Sequence, residues 1–197
     1  MNNSPILEQM KQVITAVENI TDECWMDIAA LAREKQFPKS SYFAEEGEYP
    51  ADLGFVGKGT FRAFYRTTDG IEYNKTFFTE NTFMIALTAM ITQTRNLINI
   101  QALEDSTVLL FNYKEFTKLY DTYHTLERMA RKVVEFEWAK KEIREIRLVL
   151  NNASERYAFF QQEHPGLENK IPQYHIASYL GVTPIQLSRI RAKIAGK

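Results

Sequence analysis

The chain has 197 residues, 45% of them hydrophobic, a net charge of −1 and a single cysteine, Cys24. That suffices for one or two cored domains and excludes a polycation, an intrachain disulfide framework and a cysteine-ligated iron–sulfur cluster. No apolar run approaches the ~18 residues of a membrane span, and MNNSPILEQMKQ lacks a basic-then-apolar leader, so a cytoplasmic protein is expected.

Residues 5–17 read as a helix with Ile6, Leu7, Met10, Val13 and Ile14 on one face. Thr21 caps a second helix, where Cys24, Trp25, Ile28, Ala29 and Leu31 recur at helical spacing and Cys24 serves as a small buried hydrophobe. From Ala32 to Tyr113 the period changes. Short aromatic and β-branched runs at 35–37, 41–44, 53–56, 60–67, 71–78, 97–103 and 107–112 are separated by turn signals, as in a barrel or sandwich. Asp69-Gly70 between FRAFYRT and IEYNKTFF is a strong hairpin signal. Both faces of the 61–66 run carry aromatics, which predicts one core face and one partly covered face.

Residues 113–120 form a short helix, with Phe116 and Leu119 inward, and 123–151 a long one without Gly or Pro. Leu126, Met129, Val133 and Phe136 step by 3, 4 and 3, then the stripe hops to Ala139, Ile143, Ile146 and Leu150, a stammer. Apolar content on both segments predicts a dimer seam that also touches the preceding domain, with Leu126, Met129, Val133, Phe136 and Ile143 as its residues. Asn152 and Glu155 make a capping-box pair for the next helix, which His164-Pro165-Gly166 stops, and Asn151-Asn152 is the expected hinge. Residues 127–197 hold 13 Lys/Arg and 8 Asp/Glu, against 11 and 17 in residues 1–126. An acidic front and a basic back suit a sensing part joined to a nucleic-acid binder.

The last segment, IPQYHIASYLGVTPIQLSRIRAK, divides around Gly181. Pro172 suits a first helical turn, Ile176, Ala177 and Leu180 repeat at helical spacing, and Gly181 closes the turn with Val182 as its staple. Thr183-x-x-Gln186 is a capping box with Pro184 at the first helical position. Ile185, Leu187 and Ile190 give an apolar side; Gln186, Ser188, Arg189, Arg191 and Lys193 a polar, basic one. A plain helical hairpin would not need a second helix with three cations and no acid. The pattern is that of a helix-turn-helix, whose second helix enters the major groove of double-stranded DNA. Histidines 124, 164 and 175 lie in separate elements without metal-ligand spacing; His175 is expected to face solvent or phosphate. No P-loop, nucleophile elbow or paired-carboxylate context argues for an enzyme.

The run IASYLGVTPIQLSRIR resembles the recognition segment of the Crp/Fnr family of bacterial transcription regulators, in its Bacteroidetes-like form. Glu46-Gly47-Glu48, Leu53–Gly59, Phe61-Arg62, Asp69-Gly70 and IQALEDSTVLLF extend the resemblance over about residues 30–195. It implies an α+β fold: a β-roll of double-stranded β-helix or jelly-roll type (1–121), a dimerisation helix (122–151), and a helix-turn-helix domain with a truncated or absent wing (152–197). It also implies a homodimer on a pseudo-palindromic operator, RNA polymerase as a candidate partner, and a small-molecule effector. The expected DNA contacts are Thr183, Pro184, Ile185, Gln186, Ser188, Arg189, Arg191 and Lys193. Arg189 matches the family's guanine-reading Arg, whereas Ile185 replaces its usual base-reading Glu, so a ligand-binding or interaction module that has lost specific DNA binding is the alternative.

Cyclic-nucleotide binders of the family offer a Gly and a Glu to the ribose, where this chain has Ile85 and Ala86. Neither accepts a ribose hydroxyl, so no cyclic AMP binding is expected. The corresponding pocket residues, Phe83, Met84, Ile85, Ala86, Leu87, Arg95 and Asn96, suggest an apolar pocket or one filled by its own side chains. No resident cofactor is expected.

Overall fold

A computed structural model describes residues 4–194 and Gly196. Helices α1 (Pro5–Val17) and α2 (Asp22–Leu31) come first, and the Thr21 hydroxyl accepts from the Cys24 N–H at 3.2 Å, as its capping role requires. Eight strands follow: β1 (Arg33–Phe37), β2 (Tyr42–Ala44), β3 (Asp52–Lys58), β4 (Phe61–Arg66), β5 (Glu72–Phe78), β6 (Phe83–Met84), β7 (Asn99–Ala102) and β8 (Ser106–Asn112). Helix α3 (Leu87–Thr92) lies between β6 and β7. They form two four-stranded sheets, ordered β1-β8-β3-β6 and β2-β7-β4-β5. Strand β8 is antiparallel to both β1, with Arg33 opposite Leu110, and β3, with Leu53 opposite Phe111.

The sequence pattern does not anticipate β6 or α3, because two residues of strand and six of helix are too short to show a period. Strand β7 starts at Asn99, not Leu97, whose side chain is exposed. Both faces of β4 are covered as far as Phe64, including Arg62, whose Nε and Nη2 donate to Gln101 Oε1 at 3.1 and 2.7 Å.

The chain divides into two compact units, residues 1–63 with 77–136, and residues 64–76 with 137–197. In the first, β-strand alternation sorts side chains into two cores. One joins Leu7, Met10, Ile14, Cys24 and Ile28 to Phe55, Leu109, Phe111, Phe116, Leu126 and Met129. The other fills the roll with Phe37, Val56, Phe61, Ala63, Met84, Ala86, Ile100, Val108 and Leu110. Burial pushes the Cys24 thiol up to about 11, which fits a packing role rather than a reactive one.

After α4 (Tyr113–Lys118) and a 3-10 turn at Leu119–Asp121, helix α5 runs unbroken from His124 to Leu150. The second unit holds its latter part, α6 (Ala153–Glu163), a 3-10 turn at Leu167–Asn169, α7 (Gln173–Leu180) and α8 (Pro184–Ile194). It also holds the outer ends of β4 and β5 with their turn, where Gly70 has φ +80° and Arg66 meets Glu72 across the strands at 3.1 Å. The Asn152–Glu155 capping box is formed, its Oδ1 accepting from Ser154 and Glu155 at 3.0 and 3.1 Å.

Candidate nucleic-acid interface

Helices α7 and α8 pack together around Gly181, which closes α7 in the left-handed conformation at φ +67°. The capping box of α8 is complete: the Thr183 N–H donates to Gln186 Oε1 at 2.9 Å, and the Gln186 N–H donates to Thr183 Oγ1 at 3.2 Å. Leu187 is buried and Ile190 half-buried, so the helix is anchored along one side. Pro184, Ile185, Ser188, Arg189 and Lys193 are exposed, and Ile185 keeps 66% of its surface. Spacings of three and four residues from Ile185 place Ser188 and Arg189 on one face with it. Arg189 and Lys193 form no ion pair among the described residues.

Two expected DNA contacts have internal duties. Gln186 Oε1 is occupied by the cap, so what it can offer a base is its amide N–H groups. Arg191 is half-buried and acts on Tyr157 and Glu168. There the Tyr157 hydroxyl donates to Glu168 Oε2, and Gln161 Nε2 donates to Glu168 Oε1 at 3.0 Å. The Tyr157 phenol is pushed up to about 12 by burial first, then by its bond to Glu168. The Glu168 carboxyl is held below its ordinary value by that same bond, with Gln161 and Arg191 assisting.

His175 corrects an expectation. It is 5% exposed, not turned to solvent or phosphate, and its ring Nδ1 lies 3.3 Å from Asn74 Nδ2. Sequence reasoning gave Asn74 no role, yet a buried Asn inside a strand is depleted on propensity grounds, and that was the available signal.

The residues expected around an effector separate by strand alternation. Met84 and Ala86 point into the roll core. Phe83 and Ile85 pack on the other core, with Phe83 5.2 Å from the Phe55 ring centroid in an edge-on arrangement. Leu87 is half-buried at the start of α3. Arg95 is exposed; it donates to the Gly47 carbonyl at 2.6 Å and lies over Tyr49. Asn96 is buried and staples the same loop, its N–H donating to the Glu48 carbonyl at 2.8 Å. Among the described residues no group of three or more His, Cys, Asp or Glu is placed to hold a metal ion, and no helix is long and apolar enough to cross a membrane.

The apolar stripe of α5 divides as well. Leu126 and Met129 are buried in the core of their own unit and Val133 packs against it, which removes all three from the surface a partner would meet. Phe136 and Ile143 are exposed, as are Ile146 and Leu150. With Ala139 they step by 3, 4, 3 and 4, an uninterrupted heptad seam.

A roll of two antiparallel sheets, a long helix and a terminal pair of helices turning at Gly181 make up the fold, and it is this fold that known structures share. Residues 34–123 match the family described as cyclic nucleotide-binding domain. Among solved structures the chain is similar to FixK2 from Bradyrhizobium japonicum, at 19% identity and a TM-score of 0.73, covering 84% of this chain and 85% of that one. It is similar to a putative transcriptional regulator of the Crp/Fnr family from Eubacterium rectale, at 14% identity and a TM-score of 0.70, covering 90% and 85%. It is also similar to a CooA mutant from Carboxydothermus hydrogenoformans, at 19% identity and a TM-score of 0.69, covering 100% and 86%. No protein of curated function matches the sequence. The chain therefore has the Crp/Fnr fold, with a cyclic-nucleotide-binding-type domain at its front.

Proposed function

We propose that the protein is a cytoplasmic, non-enzymatic transcription regulator that binds double-stranded DNA as a homodimer. The observation that carries this reading is the outward face of α8, where Ile185, Ser188 and Arg189 stand together beside a formed cap and a left-handed glycine turn. Arg189 offers two parallel N–H groups to guanine O6 and N7, Ile185 an apolar contact to a thymine methyl, and Thr183 with the helix N-terminus a phosphate site. Lys193 adds attraction that weakens with salt. The heptad seam Phe136–Leu150 supplies the pairing surface, and the dyad then sets two half-sites about 34 Å apart.

Two further parts of this reading concern partners. The aromatic filling of the roll, together with Ile85 and Ala86, favours a regulator that does not respond to cyclic AMP; tight calorimetric binding of cyclic AMP would overturn that part. RNA polymerase is the candidate partner at a promoter if the regulator activates. The central test is selection of binding sites from random DNA by wild type and by Arg189→Ala. A pseudo-palindrome is expected for wild type, with a loss of about 1–3 kcal/mol and relaxed preference at one guanine for the variant. An unchanged preference would remove Arg189 from readout, and no binding by wild type would favour an interaction module instead.

A further inference from the structure

Helix α8 carries three cations, Arg189, Arg191 and Lys193, and the fold treats them differently. Arg189 and Lys193 are one turn apart and exposed. Arg191 lies one turn past the buried Leu187, so its stem leaves the anchored side of the helix, and it is itself half-buried. What it meets there is acidic. Tyr157 of α6 is 2% exposed, and its hydroxyl donates to Glu168 Oε2. Gln161, one turn further along α6, donates to Glu168 Oε1 at 3.0 Å and to the Tyr157 oxygen at 3.3 Å. Gln173 Nε2 donates to the Glu168 backbone carbonyl at 3.0 Å, which secures the 3-10 turn that carries the carboxylate. The positive charge of Arg191 bears on both Tyr157 and Glu168. The Glu168 carboxyl, held below its ordinary value by the Tyr157 bond first, is ionised at neutral pH.

A cation in this position has two anionic partners to choose between, and they exclude each other. Arg191 follows Ser188 by three residues, so it borders the face that carries Ile185, Ser188 and Arg189. An arginine stem is long enough to swing its guanidinium across that border. Turned inward, the guanidinium faces the Glu168 carboxylate. Turned outward, it would neutralise a phosphate of a duplex lying on the reading face and release one counterion. The inward contact exists before DNA arrives, and leaving a half-buried carboxylate without its cation is unfavourable.

We infer that Glu168 is an intramolecular competitor for Arg191: it withholds one of the three recognition-helix cations from the DNA backbone and so keeps sequence-independent affinity low, leaving Arg189 to read bases. This rests on the DNA-binding reading for its consequence; the withholding itself is a property of the free protein. If Glu168 served only to hold α8 in place, its loss would loosen the helix and weaken operator binding. Withholding gives the opposite sign. Removing the carboxylate releases the guanidinium, and operator and non-operator duplexes are then bound more tightly by the same factor.

The test compares wild type, Glu168→Gln, Arg191→Met and the double variant, each shown to be folded by thermal melting, on the selected operator and on a scrambled duplex. Affinities are measured between about 50 and 200 mM salt, a range over which one added phosphate contact makes affinity fall about three- to fourfold further. That steeper fall is expected of Glu168→Gln on both duplexes. Arg191→Met should keep the wild-type slope, and the double variant should return to it. A shallower slope in Arg191→Met would place Arg191 on a phosphate already, and an unchanged slope in Glu168→Gln would mean that nothing is withheld. Either overturns the inference, as does weaker binding of the operator alone by Glu168→Gln. Should Glu168→Gln not fold, the Arg191→Met slope decides by itself. A DNA-free measurement separates this inference from the DNA reading. The Arg191 Nε–H resonance, identified by its loss in Arg191→Met, should exchange with water faster in Glu168→Gln. Unchanged exchange would overturn the pairing whether or not the protein binds DNA. Faster exchange in a protein that binds neither duplex would uphold the pairing and defeat the DNA reading.

Discussion

The first and last stretches of helix α5 look alike in composition and have opposite fates. Leu126 and Met129 are buried with α1, α2 and the roll strands in one core. Phe136 keeps 62% of its surface and Leu150 75%. The stammer at 136–139 marks the change. The 3-4 alternation runs on both sides of it, but the stripe's azimuth shifts: before the stammer it is buried in the helix's own unit, and after it the stripe is exposed. Apolar periodicity reports that a face is covered, and a break in the period reports that what covers it changes.

The comparison breaks most sharply with a charge on the outward stretch. Ile143→Glu should leave the monomer folded but place an unpaired carboxylate in each half of the seam, costing about 3–5 kcal/mol of dimer stability. Sedimentation should show dissociation at micromolar concentration; a dimer that persists would move the seam elsewhere. The inward stretch should respond the other way. Leu126→Ala opens a cavity in a closed core and should lower unfolding stability by about 3 kcal/mol in denaturant titration, with the association state of the folded protein unchanged.

A smaller effect belongs to His164, at the end of α6, whose imidazole is held below its ordinary value of 6.5 by burial first, opposed by Glu163 and helped by Lys140. Because the folded state binds the proton less readily than the unfolded one, its contribution is fully present above pH 6.5 and is lost as pH falls toward the lowered value. His164→Phe should therefore flatten the stability–pH curve below 6.5 relative to wild type. Parallel curves would show that the ring's burial carries no linkage.

Much of this molecule is legible without coordinates wherever chemistry is local. The Asp69-Gly70 turn, the Asn152 and Thr183 caps and the Gly181 closure each need only a few neighbouring residues, and each forms as the residue types require. Periodicity over long helices likewise identifies α1, α2 and α5. The two-residue β6 and the six-residue α3 were hidden because neither completes enough turns or alternations to register.

What only the tertiary structure decided is which polar groups are consumed inside the fold. His175, Arg191 and Gln186 read as surface chemistry in the sequence, yet one is buried, one is half-buried beside Tyr157 and Glu168, and one is tied to a cap. Sequence fixes what a side chain can donate or accept. Whether that capacity meets DNA, solvent or Asn74 depends on which distant segment comes to lie beside it, and separation of 101 residues along the chain leaves no local pattern from which to read it.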